Sequence, residues 1–86
     1  MPQRQPTDWF FGDPKDGAIT RIVTEKGFCF VKCDNGDYFL HSTDLENVEF
    51  SQLHIGDLIH FTPADTPKGL RATMASRTHE YSANRR

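Results

Sequence analysis

Two short runs on either side of Asn35-Gly36 constrain this chain more than any other feature. Residues 28–33 alternate, with Phe28, Phe30 and Lys32 on one face and Cys29, Val31 and Cys33 on the other. Tyr38-Phe39-Leu40-His41 reads as the returning strand. An Asn-Gly turn favours a tight hairpin, so the two runs are expected to pair. Only one face of each can enter a core. Either Cys29, Val31 and Leu40 point inward and Phe28, Phe30, Phe39 and His41 stand outside, or the Phe rings are the core. Lys26 and Lys32 share parity with Phe28 and Phe30 and belong in water, which weights the reading toward exposed rings. The pattern alone takes the matter no further. A large exposed apolar patch invites association. Because every nucleobase has a π-face, such a platform can stack successive bases.

The remainder of the chain supplies partners for that hairpin. Residues 17–23 are rich in β-branched side chains, and the adjacent Ile22 and Val23 break the alternation, as a bulge would. Thr43-Asp44-Leu45-Glu46 matches a capping box and predicts one short helical turn. After a turn at residues 54–57, residues 58–62 form a fourth strand with Ile59 and Phe61 inward. Residues 63–69 read as a loop, and residues 70–75 as the fifth strand. Five short strands with almost no helix make an all-β fold, a small barrel. With 86 residues the chain is one domain with a thin core. Pro2, Pro6 and Pro14 argue against regular structure in residues 1–16, an irregular N-terminal extension interrupted by Trp9-Phe10-Phe11. The barrel is expected over residues 17–76. Residues 77–86 are expected to form a basic, mobile tail.

Composition sets limits on function. The net charge is −2, and the balance is uneven: residues 34–65 hold seven acids and no Lys or Arg, whereas residues 68–86 hold five basic side chains against Glu80. The overall basic balance usual for nucleic-acid binding is missing, so any such binding leans on something besides phosphate attraction. The acidic segment is expected to repel phosphates and confine a bound strand to the opposite side. No run reaches the roughly 18 to 20 apolar residues of a membrane span, and the N-terminus lacks the order of a secretory signal. The expected setting is the cytoplasm. Cys29 and Cys33 lie along one strand and its exit, too far apart for a disulfide unless the strand folds back, so reduced thiols are expected. Their spacing is not that of a zinc site, and His54, His60 and His79 form no ligand pattern. His41, Ser42 and Asp44 are the residue types of a triad, but sequence neighbours rarely converge in that geometry. No phosphate-binding Gly-rich loop is present. The expectation is a non-enzymatic protein with no catalytic residue, metal, cofactor or small-molecule substrate.

Several ordered motifs then share one resemblance. Lys26-Gly27-Phe28-Cys29-Phe30-Val31 resembles the first RNA-binding motif of cold-shock domains, a Lys-Gly-Phe-Gly-Phe-Ile type run. Asp37-Tyr38-Phe39-Leu40-His41 is similar to the second, and Pro67-Lys68-Gly69-Leu70-Arg71-Ala72 to the loop entering the last strand. The Gly56-Asp57 turn falls at a matching spacing. The resemblance implies a five-stranded antiparallel OB-type barrel that binds single-stranded RNA or DNA and acts as an RNA chaperone. Phe28, Phe30, Phe39 and His41 would stack on bases. Lys26 and Lys68 would touch phosphates or base edges, or are solvated charges. Phe50 matches a further base-contacting loop aromatic, or plugs the barrel rim. Two departures stand out. Where the family's first strand carries a stacking Trp, this chain has Arg21, which stacks by cation–π contact with less apolar area. Cys29 replaces a Gly and is expected to point inward.

Trp9-Phe10-Phe11 has no counterpart in the minimal domain. It either folds back to extend the aromatic platform or contacts another subunit, or it plugs an apolar edge of the barrel, the reading favoured on sequence. The rival to nucleic-acid binding is a protein-interaction or self-association module using the same patch. Oligomeric state is not readable from the sequence.

Overall fold

The computed structural model describes residues 9–79. Residues 1–8 of the N-terminal extension and 80–86 of the basic tail lie outside that range. Six strands follow in order: β1 (Phe10–Phe11), β2 (Lys15–Val23), β3 (Phe28–Cys33), β4 (Gly36–His41), β5 (Leu58–Thr66) and β6 (Gly69–His79). Three single-turn 3-10 helices connect them, at Thr24–Lys26, Ser42–Asp44 and Phe50–Gln52. The barrel strands thus begin at Lys15 and continue to His79, a little beyond the expected limits at both ends.

The sheet order is β1-β5-β2-β3-β4-β6, and a further β5–β6 pairing closes β2 to β6 into a five-stranded barrel. It has the OB-type layout, with one correction: the barrel is mixed, not purely antiparallel. Strands β4 and β6 run parallel where they meet, at Phe39 and Arg71, and Leu45 bridges Ala75 in parallel just beyond. The loop between β4 and β5 is long enough to carry the chain across, so β6 arrives beside β4 in the same direction. Strand β1 adds two residues to the edge of β5, with Phe10 opposite Asp65 and Phe11 opposite Ala64.

The core is what inward alternation selects from each strand. Ile19, Cys29, Val31, Tyr38, Leu40, Ile59, Phe61, Ala72 and Ala75 are buried together, with Leu53 closing one end. The Tyr38 ring packs on Phe61 at 5.1 Å between centroids, and its hydroxyl donates to Asn35 Oδ1 at 3.2 Å. Burying the largest of these side chains contributes roughly 1.5–3 kcal/mol each. Gly17 is required where β2 crosses this core. A Cβ there would lie 2.6 Å from Val31 Cγ1 and 2.7 Å from both Cys33 Sγ and Lys32 O.

Three local expectations change. The hairpin loop is Asp34-Asn35, flanked by the Cys33–Gly36 pair, and Gly36 takes φ +136°. An Asn35-Gly36 loop would have set Phe30 opposite His41; the observed loop sets Phe30 opposite Phe39. The helical turn after β4 begins one residue before the expected capping box and is capped by His41 instead. Residues 63–66, read as loop, are strand. Pro63 fits there because the carbonyl facing β1 accepts from Gly12 N–H at 2.9 Å. In an extended strand the proline nitrogen faces that same way, toward an edge that β1 barely covers, so the missing N–H costs no β6 ladder bond.

Candidate nucleic-acid interface

Strands β3 and β4 settle the question of parity. Cys29, Val31 and Leu40 are fully buried, and Phe28, Phe30, Phe39 and His41 are half-buried on the opposite face. In register, Phe28 pairs with His41 and Phe30 with Phe39. The three Phe rings form one cluster, with centroids 4.9 Å apart for Phe28–Phe39, 5.6 Å for Phe28–Phe30 and 6.1 Å for Phe30–Phe39. The two Phe30 contacts... are edge-on in both cases, at 85° and 72°. Aromatic pairs in such arrangements hold each other in place. The imidazole of His41 lies 6.3 Å from Phe39.

The orientation of His41 follows from its capping role. Its Nδ1 accepts from Thr43 N–H at 3.2 Å and lies 3.0 Å from Thr43 Oγ1. An accepting Nδ1 leaves the proton of the neutral ring on Nε2, so the ring offers an N–H donor away from the turn.

The register extends this face across four strands. Arg21 of β2 is the cross-strand partner of Phe30, Phe30 of Phe39, and Phe39 of Arg71 on β6. Cross-strand partners share a face, so the row reads Arg-Phe-Phe-Arg. A bulge between Ile19 and Arg21 places Arg21 in this row, exposed, while Ile22 packs against the core. Arg71 is held in place. Its Nε and Nη2 donate to Asp44 Oδ2 at 3.1 and 2.9 Å, and its guanidinium lies over Phe39 at 5.8 Å and over Trp9 at 5.3 Å.

Trp9 therefore reaches the aromatic face rather than an apolar barrel edge. With Phe30, Phe39, Asp37, Lys68 and Arg71 it lines a groove of about 620 Å³ beside β4 and the β5–β6 turn. Lys68 sits in that turn, exposed, with its backbone N–H donating to Thr66 Oγ1 at 3.1 Å. Lys26 is exposed on the turn that leads into Phe28. Phe50 is half-buried and packs against the core, as do Ile22, Leu45 and Val48.

Arg71 went unread in the sequence, and Trp9 was read onto this face only as the less favoured alternative. The Leu70-Arg71-Ala72 alternation would have placed Arg71 outward, since Leu70 and Ala72 face the core. No sequence signal places Trp9. The acidic run of residues 34–65 also proves to be no single face. Strand β4 lies within it and supplies Phe39 and His41, Asp37 lines the groove, and Asp44 is paired with Arg71. The expectation that these acids sit opposite the site is overturned: two of them border it.

Cys29 and Cys33 form no disulfide with each other, and neither joins the face. Burial in the core pushes the Cys29 thiol up to about 12. Partial burial raises that of Cys33 as well, against the pull of Lys15, and its Sγ donates to Asp16 O at 3.3 Å. Among the described residues no cluster of His, Cys, Asp and Glu could hold a metal ion, and no helix is long and apolar enough to cross a membrane.

No family model matches the chain. Individual proteins do. A probable cold shock protein A of Mycolicibacterium smegmatis is 32% identical over 59 residues, which cover 66% of this chain and 88% of that protein. The probable cold shock protein A of Mycobacterium tuberculosis matches to the same extent. The major cold shock protein of Micrococcus luteus is 29% identical over 63 residues, covering 71% of this chain and 94% of that protein. With nearly the whole of these proteins aligned and an OB-type barrel underneath, the chain belongs to the cold-shock protein family.

Proposed function

We propose that this chain binds single-stranded RNA or DNA by stacking bases on Phe28, Phe30, Phe39 and His41, and that it loosens RNA secondary structure as a chaperone in the cytoplasm. Membership of the cold-shock family supports nucleic-acid binding. The observation that carries the single-stranded reading is the half-buried ring cluster on the outer face of β3 and β4. Such rings offer π-faces to bases that are splayed apart, which a paired duplex does not present. Arg21 and Arg71 flank the rings in register, and Lys26 and Lys68 stand at the turns on either side. Phe50, half-buried and packed against the core, adds a further aromatic contact to bases. The role is one of binding, without catalysis.

Stacking tolerates sequence, so the preference is at most for pyrimidine-rich strands. Few cations face the strand and Asp37 and Asp44 lie close by, so the dependence on salt is shallow. Titration with short oligonucleotides, followed through backbone amide shifts, tests this reading. Shifts centred on Phe28, Phe30, Phe39 and His41 are expected, and Phe30→Ala should weaken binding by roughly 5- to 150-fold. Absence of binding at high micromolar concentration, or a salt slope of eight or more phosphate contacts, would contradict it.

A further inference from the structure

We propose that the groove between Trp9 and the Phe30–Phe39 pair is an additional nucleobase slot, built by the N-terminal arm and not by the barrel alone. The inference rests on the single-strand reading above and adds to it a place for one more base. Three observations converge on it. The groove has a volume of about 620 Å³ and is walled by Trp9, Phe30 and Phe39, within the range of sites that enclose small planar ligands. It is continuous with the stacking face, because Phe30 and Phe39 belong to both. Its fixed point is Arg71, whose guanidinium lies over Trp9 at 5.3 Å and over Phe39 at 5.8 Å, so that one cation joins the arm to the face.

Charge selects the part of a nucleotide that enters. Asp37 is among the groove-lining residues, which disfavours a phosphate inside. Lys68 lines the same groove from the exposed β5–β6 turn, where a phosphate can remain in water while its base inserts. Asp44 takes two of the Arg71 donors, at 3.1 and 2.9 Å, so Arg71 serves here mainly through its planar face. The slot also answers the departure on β2. Where Arg21 stands in place of the family's Trp, the large apolar ring is brought back to the row from its other end, beside Arg71.

Trp9 is the single tryptophan of the chain, so its fluorescence reports on the slot directly. Oligothymidylates of increasing length would be titrated into the full chain. Trp9 emission and the polarisation of a labelled oligonucleotide would be read in parallel. Quenching of Trp9 should saturate together with polarisation. Trp9→Ala should bind roughly 5- to 150-fold more weakly, while Trp9→Phe keeps most of the affinity. A polarisation change with no change at Trp9 would overturn the slot and leave the β3–β4 face intact. No polarisation change at all would overturn both readings. A concentration-dependent shift of Trp9 emission without oligonucleotide would assign the groove to a second copy of the chain and overturn the slot.

Discussion

Arg71 and Arg77 leave the same strand with the same parity, and each meets an aspartate, yet they do different work. Arg71 lies outside the barrel against Phe39 and Trp9, paired with a partly exposed Asp44. Arg77 turns to the end of the barrel and reaches Asp57, whose side chain is 0% exposed, at 3.3 Å. Asp57 Oδ2 also accepts from His54 N–H at 2.8 Å, and Arg77 Nη1 donates to Gln52 O at 2.8 Å. The Asn47 amide clamps the Arg77 backbone through both of its polar groups, accepting from its N–H at 2.8 Å and donating to its carbonyl at 3.1 Å. What separates the two arginines is a slip in register between them. Thr73 pairs with Thr62 but Ser76 with His60, so β6 carries an extra residue there and its faces exchange. Ala72 and Ala75 are accordingly both buried, although they differ in parity. One bulge thus assigns one arginine to the outer face and the other to the frame.

The sharpest way to break this contrast is to delete each carboxylate. Asp57→Ala removes the buried carboxylate that faces Arg77 and the His54 N–H, and should cost about 3–5 kcal/mol. For a domain this small that is a large share of total stability, read as a lowered denaturation midpoint or loss of the cooperative transition. Comparable losses from Asp57→Ala and Asp44→Ala would mean that the two pairs do the same work, and the contrast would collapse.

Strand β3 offers a second inside–outside test. Cys29 is buried, and its thiol is raised from the ordinary 9.0 to about 12. Between those values the folded chain keeps a proton that the unfolded chain releases, so stability is complete below pH 9 and falls as pH rises toward 12. The expected slope is about 1.4 kcal/mol per pH unit in that window. Urea midpoints measured across it for the native chain and Cys29→Ala should diverge, since alanine has no proton to release. Parallel pH profiles would show that Cys29 is not the group responsible.

Deleting Asp44 is the smaller experiment on the outer pair. An ion pair at a partly exposed site contributes roughly 0.2–1 kcal/mol, so Asp44→Ala should barely move the midpoint. It should instead free Arg71 from its position against Trp9 and Phe39, and weaken oligonucleotide binding several-fold. A shift in stability with unchanged affinity would make Asp44 part of the frame after all.

These contrasts also mark what the sequence disclosed. Where strands are regular, alternation sorted Phe28 and Phe30 from Cys29 and Val31 without saying which set was the core. Lys26 and Lys32 tipped the choice because desolvating an ammonium is costly whichever way the rings point. Legibility ended where geometry is set by distant contacts. The direction of β6 beside β4, and with it the mixed barrel, depends on how a long connection crosses the sheet. Trp9 is placed by the pairing of Phe10–Phe11 with β5 and by Arg71, neither of which has a local signature. The acids of residues 34–65 form one run in sequence, but folding distributes them between a groove wall, a surface pair and a buried latch.

Met74 is where the exchange of faces is made, and the effect expected there is confined to stability. It takes φ +48°, a left-handed conformation that glycine adopts without penalty and methionine does not. The residue is 51% exposed, so removal of its side chain gives up little burial. Met74→Gly relieves the backbone but adds conformational freedom to the unfolded chain, and the difference should leave a gain of about 0.5–1 kcal/mol. Met74→Ala keeps the Cβ and serves as the control, with a midpoint close to that of the native chain. If alanine destabilises as well as glycine, the methionine side chain must be fixing the bulge through contacts of its own. The different fates of Arg71 and Arg77 would then depend on that side chain as well as on the backbone turn it occupies.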